Sequence, residues 1–201
     1  MQKLICLGAL LLGLCLTASA QSNELAFVAG AKVTPSVGTT AAGNQTTFST
    51  SFAFEGNYAA RLAHVPFVAL HLEFPVVASP TTNLASQNLA AVSSYSSIFF
   101  TPALRLKLLP GAPVSPWFSA GYGIAHFGPG STDQNGTGVN PKSTTKGAAE
   151  GGVGLDFHAP LLPIAFRVEA RDFYTGIPNL NTFSIKARNN ILVGGGIVLR
   201  F

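Results

Sequence analysis

The sequence predicts an all-β fold, an eight-stranded antiparallel up-and-down transmembrane β-barrel, and three observations carry that expectation. Eight segments alternate apolar and polar residues with a period of two. Charged residues are only 10% of the chain and mean hydropathy is high at +0.36. Yet after residue 20 there is no apolar run of about 18 residues that would make a spanning helix. Hydrophobicity spread over alternating strands is what a membrane barrel requires. Thirdly, the connections between the segments alternate between short and long.

The first twenty residues read as a secretory signal peptide, followed by a barrel over residues 21–201. Lys3 supplies the positive start, Leu4 to Leu16 the apolar run, and Ala18-Ser19-Ala20 the small-residue cleavage pattern. Cys6 and Cys15, the only cysteines, both lie in this leader. Leu14 stands where a lipoprotein anchor at Cys15 would want a small residue. The chain from Gln21 thus has no disulfide and no thiolate metal site.

The segments follow in order. Asn23–Thr34 places Leu25, Phe27 and Ala29 on one face. Thr47–Arg61 sets Phe48, Phe52, Phe54, Gly56, Tyr58 and Ala60 against Ser49, Ser51, Glu55, Asn57 and Arg61. Phe67–Val77 sets Val68, Leu70, Leu72 and Phe74 against Ala69, His71 and Glu73. Tyr95–Leu108 sets Ile98, Phe100, Leu104, Leu106 and Leu108 against Ser97, Thr101, Arg105 and Lys107. Trp117–Phe127 divides into Phe118, Ala120, Tyr122 and Ile124 on one side and small residues on the other. Thr145–Phe157 opposes Val153, Leu155 and Phe157 to Glu150, Gly152, Gly154 and Asp156, and Ile164–Tyr174 opposes Ile164, Phe166, Val168 and Ala170 to Arg167, Glu169 and Arg171. Ala187–Phe201 closes the set, with Ile191, Val193, Ile197, Leu199 and Phe201 on its greasy face, and is expected to pair with the first and seventh segments.

Leu62–Pro66, Leu109–Ser115 and His158–Pro163 are short and proline-bearing; Pro35–Thr46, Ala78–Ser94, Gly128–Thr144 and Thr175–Lys186 are long and polar. Short turns at one end and long loops at the other are the asymmetry of outer-membrane barrels, with the short turns periplasmic.

The polar parity decides between a membrane barrel and a secreted soluble one. It carries Glu55, His71, Glu73, Arg105, Lys107, Glu150, Asp156, Arg167, Glu169, Arg171 and Arg200. Five acids face five bases, with His71 beside them. A solvated face needs no such balance. A closed lumen does, because charges taken out of water must be paired. These residues are therefore expected to form a lumen ion-pair network. Phe48, Tyr58, Phe67, Phe74, Tyr95, Trp117, Phe157, Tyr174 and Phe201 are expected to form aromatic girdles at the bilayer surfaces.

From Gln21 onward the chain resembles the small eight-stranded outer-membrane β-barrel proteins, the broad group that includes the OmpA and OmpW transmembrane domains. The most specific stretch is Gly196-Ile197-Val198-Leu199-Arg200-Phe201, where Gly196, Leu199 and Phe201 match the family's terminal glycine, hydrophobic and aromatic pattern. The resemblance implies an insertion signal read by the barrel-assembly machinery. It also implies a bacterial outer-membrane location reached by Sec export, in contact with outer-membrane lipid and lipopolysaccharide.

Other chemistry is thin. Basic residues are dispersed, the formal charge is +4 before the leader is removed, and nothing supports nucleic-acid binding. His64 and His158 lie in short turns. His71 and Glu73 share a face and suit a lumen pair. His126 lies near Ser131 and Asp133, the residue types some lipid A-trimming barrels use, but at no recognisable spacing. The acids show no calcium-loop spacing, the glycine clusters precede no helix, and no cofactor is implied.

The leading expectation is a non-enzymatic barrel with a structural or adhesive role, using loops Thr81–Ser94 and Ser131–Thr145 as contact surfaces for a partner left open. One alternative is a narrow channel or carrier for small hydrophobic molecules, supported by Phe99, Leu192 and Val198 on the lumen parity. The other is a lipid A-modifying enzyme.

Overall fold

The computed structural model describes residues 23–35, 37–38, 45–86, 94–130, 143–159, 162–175 and 189–201. These contain strands and no helix. We number the barrel strands β1 Asn23–Val33, β2 Ser51–Val65, β3 Val68–Ser86, β4 in two pieces Ser94–Phe100 and Ala103–Leu108, β5 Val114–Pro129, β6 Thr144–His158, β7 Ile164–Thr175 and β8 Asn189–Arg200. Each pairs antiparallel with its sequence neighbours. The ring closes where β8 pairs β1, from Glu24 opposite Arg200 to Val33 opposite Ile191. Beyond the last pair, Asn23 and Phe201 exchange backbone hydrogen bonds of 2.9 and 3.0 Å. A closed ring leaves no ladder edge to be stranded in hydrocarbon.

Side-chain exposure is inverted relative to a water-soluble protein. Phe27, Phe52, Phe54, Ile98, Leu104, Phe118, Tyr122, Ile124, Phe166, Val193 and Ile197 are all exposed on the outer wall. None of the described Asp, Glu, Lys or Arg residues falls in the exposed class. Water would reverse that arrangement; a lipid bilayer imposes it. The soluble alternative is thereby excluded.

Several boundaries differ from the sequence expectation, each for a local reason. The fourth segment is interrupted at Thr101-Pro102. Pro102 has no N–H to give, and the facing β3 carries Pro75. The β3–β4 ladder therefore runs from Val68–Leu108 to Glu73–Ala103, breaks, and resumes at Val76–Phe100, with one long bond from Thr101 N–H to the Pro75 carbonyl at 3.5 Å. The third strand continues through Ser86 instead of ending at Val77. Its outer end is held by β4 and by Gln45–Phe48, which pairs with Leu84–Ser86. The second segment splits into Gln45–Phe48 and β2, and a bulge between Arg61 and Ala63 skews the β2–β3 hairpin. At the β4–β5 turn, Leu109 adopts φ 48° and its carbonyl accepts from Ala112 N–H at 2.9 Å and Ser115 Oγ at 2.7 Å.

Candidate functional site: the barrel lumen

The lumen has two storeys. The half nearer the short turns is ionic. Glu24 accepts from Arg105 Nη2 at 2.5 Å and Lys107 Nζ at 2.6 Å, and Arg167 Nη2 reaches it at 3.5 Å. Asp156 lies 2.6 Å from Lys107 Nζ and accepts from Arg167 Nε at 2.7 Å. Next along the axis, Arg171 is ringed by Glu150 at 2.7 Å, Glu73 at 2.9 Å, Glu55 at 3.1 Å and Glu169 at 3.2 Å. Asn57 Nδ2 donates to Glu73 at 3.0 Å and Ser119 Oγ to Glu150 at 2.9 Å. The two clusters are linked through Arg105, 3.4 Å from Glu73, and Arg167, 4.0 Å from Glu169.

Trp117 lies at the join, fully buried at 0% exposure. The guanidinium carbons of Arg167, Arg171 and Arg105 stand 4.9, 5.1 and 5.6 Å from its ring, and its Nε1–H donates to Asp156 at 3.2 Å. The indole offers its negative faces to the bases and its N–H to the acid, so one side chain fills volume and satisfies charge. Gly154 opposite it has to be a glycine. An added Cβ would lie 2.6 Å from Trp117 Cε2 and 2.7 Å from the Val168 carbonyl.

Ten of the eleven expected lumen residues make charged contacts within this network. His71 is the exception. It is buried opposite Arg105 in the ladder, but its Nδ1 has no hydrogen-bond partner and no bond joins it to Glu73, whose oxygens go to Arg171, Arg105 and Asn57. Arg200 is peripheral: its side chain is 18% exposed and stands 4.0 Å from Glu24. Three further charges lie on the inward parity outside the expected set, Glu24 and Lys32 on β1 and the half-buried Lys146 on β6. Trp117 and Tyr95, expected in the girdle, point into the lumen. Both share the parity of inward neighbours, Ser119 and Ser97. Phe48 also turns from the lipid, packing edge-on to Tyr95 with centroids 6.4 Å apart.

The half nearer the long connections is apolar. Ala53, Val77, Tyr95, Phe99, Ala125, Phe127, Ala148, Phe173 and Leu192 form one buried cluster, larger than the sequence suggested. Phe99 stacks on Phe173 at 4.7 Å and meets Phe127 edge-on at 5.9 Å. Val198 belongs to a separate patch with Ala26 and Ala165, at the short-turn end. Above the aromatics is a polar rim, where Ser79 and Thr82 donate to Ser51 Oγ at 3.0 and 3.1 Å.

Residues considered for catalysis are dispersed. His126 is exposed, with Nδ1 2.9 Å from Thr145 Oγ1. Ser131 and Asp133 lie outside the described residues, as do residues 87–93 of the first expected loop contact surface and 131–142 of the second. His158 Nδ1 lies 2.6 Å from the Ala112 carbonyl in the turns. At the closing strand, Leu199 and Phe201 are exposed on the outer wall. Gly196 abuts β1 so closely that a Cβ would strike the Phe27 carbonyl and stand 2.7 Å from Val28 Cα.

An inverted closed ring with an ion-filled lumen defines a class, the eight-stranded transmembrane β-barrel. No known protein family and no curated sequence relative matches the chain. Among solved structures it is similar to Neisserial surface protein A (NspA), with a TM-score of 0.54 at 14% identity over 89% of this chain and 96% of that one. It is also similar to the outer membrane protein OprG from Pseudomonas aeruginosa, with a TM-score of 0.56 at 10% identity over 91% of this chain and 99% of that one. At these identities the likeness is one of fold.

Proposed function

We propose that this chain is a closed, non-enzymatic barrel of the bacterial outer membrane with a structural or adhesive role. In this reading residues 1–20 are a cleaved export signal. The short turns face the periplasm and the long connections face outward, among lipid and lipopolysaccharide. Gly196, Leu199 and Phe201 are read by the assembly machinery. The observation that carries the proposal is the ion network across the periplasmic half of the lumen, in which Glu24, Glu73 and Asp156 each contact at least two bases. Removing such a group strands a partner in a low-dielectric interior, so the plug is rigid and does not gate easily. A rigid scaffold is suited to presenting loops. Purified protein in planar bilayers is expected to give no steady conductance; a stable open current overturns the proposal.

A second reading has its own support. The aromatic upper lumen, beside the β3–β4 break at Pro75 and Pro102, suits a carrier that takes small apolar molecules from outside. With the plug intact, such cargo leaves through the wall and not along the axis. A disulfide joining Val76→Cys to Phe100→Cys across that seam is expected to abolish uptake of an apolar probe while leaving insertion intact. Undiminished uptake through the locked seam removes this reading.

A further inference from the structure

Glu55 is the anomaly of the ion network. Its side chain is fully buried, yet neither carboxyl oxygen accepts a hydrogen bond. The nearest base is Arg171, whose Nε lies 3.1 Å away, but the one hydrogen on that nitrogen is donated to Glu169 Oε1 at 3.2 Å. Arg171 Nη1 donates to Glu73 and Glu150 instead. Glu169 is short of donors as well. Its Oε2 accepts no bond, and Arg167 Nη1 stands off at 4.0 Å. The carboxyl groups of Glu55 and Glu169 are within hydrogen-bonding reach of each other. Ionised together, they would repel and offer no donor between them. One proton supplies an O–H, which is the missing donor.

The charges around Arg171 do not balance. Among the described residues six acids are buried, Glu24, Glu55, Glu73, Glu150, Asp156 and Glu169. Arg105, Lys107 and Arg167 serve Glu24 and Asp156, and four carboxylates are left to crowd Arg171. Only Arg105, 3.4 Å from Glu73, and the distant Arg167 assist. The remaining strands bring no further base to Glu55. Lys32 on β1 donates to Ser97 Oγ at 2.7 Å. His71 on β3 lies opposite Arg105, and its Nδ1 has no partner. Asn57 on β2 donates to Glu73, and Ser119 on β5 donates to Glu150. On β8, neutral Gly194 lies opposite Glu169, and Arg200 stands 4.0 Å from Glu24. A buried carboxylate with neither a donor nor a base of its own is costly, and a neutral carboxyl is not.

We propose that Glu55 and Glu169 hold a single proton between them and that this proton latches the ion plug. The proposal rests on the closed-plug reading and adds its regulation. The protonated carboxyl donates to the ionised one, and Arg171 then has one negative charge fewer to meet. Tight packing is no obstacle, because a proton needs no cavity. Once the pH rises far enough to remove it, a further full negative charge appears beside Glu73 and Glu150 with no base to meet it. The plug is therefore held at neutral pH and loosens in alkali.

Infrared spectroscopy of the full barrel in a maltoside detergent, which has no carbonyl group, reads the proton directly. At neutral pH the C=O band of a protonated carboxyl is expected, and it is expected to shift on exchange into heavy water. Glu55→Gln and Glu169→Gln are each expected to lose the band, because the amide takes over as donor. Absence of the band from the wild type, or its survival in both variants, overturns the shared proton. In planar bilayers the wild type is expected to be silent at neutral pH and to conduct once the band has been titrated away. That coincidence decides the matter even if neither variant inserts. Loss of the band without conductance, or conductance gained in alkali while the band persists, overturns the latch. Steady conductance at neutral pH with the band present overturns the plug reading and leaves the shared proton standing.

Discussion

Arg171→Met removes the guanidinium at the centre of the ion network while keeping most of the side chain's length. The wild-type side chain is ringed by Glu55, Glu73, Glu150 and Glu169 at 2.7 to 3.2 Å. Once it is gone, four carboxylates face one another, and only Glu73, with Arg105 at 3.4 Å, and Glu169, with Arg167 at 4.0 Å, keep a base nearby. Stranding one partner of a buried pair costs about 3–5 kcal/mol. Four acids share this one base, so the contributions are not additive, and the expected loss is on the order of 4 kcal/mol. Equilibrium unfolding in guanidinium from lipid vesicles, followed by far-UV circular dichroism, reads it directly. Two comparisons guard the interpretation. Arg61→Met, at a half-buried base with no described ion pair, is expected to cost less than about 0.5 kcal/mol. Adding Glu73→Gln to Arg171→Met is expected to restore part of the loss. A loss below about 1 kcal/mol for Arg171→Met would refute the idea that these charges are desolvated.

Other outcomes follow from the same geometry. Gly154→Ala drives a Cβ towards Trp117 Cε2 and the Val168 carbonyl, at 2.6 and 2.7 Å. It is expected to destabilise the barrel by about 1–3 kcal/mol in the same unfolding assay. Deleting Phe201 removes two backbone bonds at the closing seam. It is expected to slow assembly far more than it lowers the folded barrel's stability, read as outer-membrane abundance against refolded-protein stability; normal abundance would count against the insertion signal. Lipid A from cells with and without the protein is expected to be identical by mass spectrometry, and a lost acyl chain in one sample would revive a lipid-modifying role for His126.

The inverted architecture is legible from sequence because bilayer and lumen impose opposite demands on alternate residues. Phe52, Phe54 and Tyr58 face out while Glu55 and Asn57 face in, as period two requires. Where residue type and parity conflict, parity prevails in the structure. Trp117 and Tyr95 are the kinds of side chain that make interfacial girdles, yet Ser119 and Ser97 mark their faces as inward, and both are buried in the lumen. A tryptophan among three arginines and an aspartate is stable for reasons that a strand read alone does not reveal: its partners come from β4, β6 and β7. Glu24, Lys32 and Lys146 pose the opposite difficulty. Each is an isolated charge whose parity points inward but whose surroundings come from other strands, so its significance appears only when the ring closes. Strand ends were legible only where a turn fixed them. The outer part of β3, Ala78 to Ser86, is held by pairing with β4 and Gln45–Phe48, a long-range effect that leaves no periodic trace.

Trp117 is the only tryptophan in the chain, which makes it a direct probe of the inward-facing, sealed lumen. Its fluorescence should be measured in bilayers with acrylamide in the aqueous phase and, separately, with brominated acyl chains in the lipid. Lumen burial predicts that neither quencher reduces the emission appreciably. Strong quenching by brominated lipid would put the indole on the outer wall and invert the assignment of β5. Strong quenching by acrylamide would mean that water enters past Glu24, Lys107 and Asp156, and that the lumen is not closed.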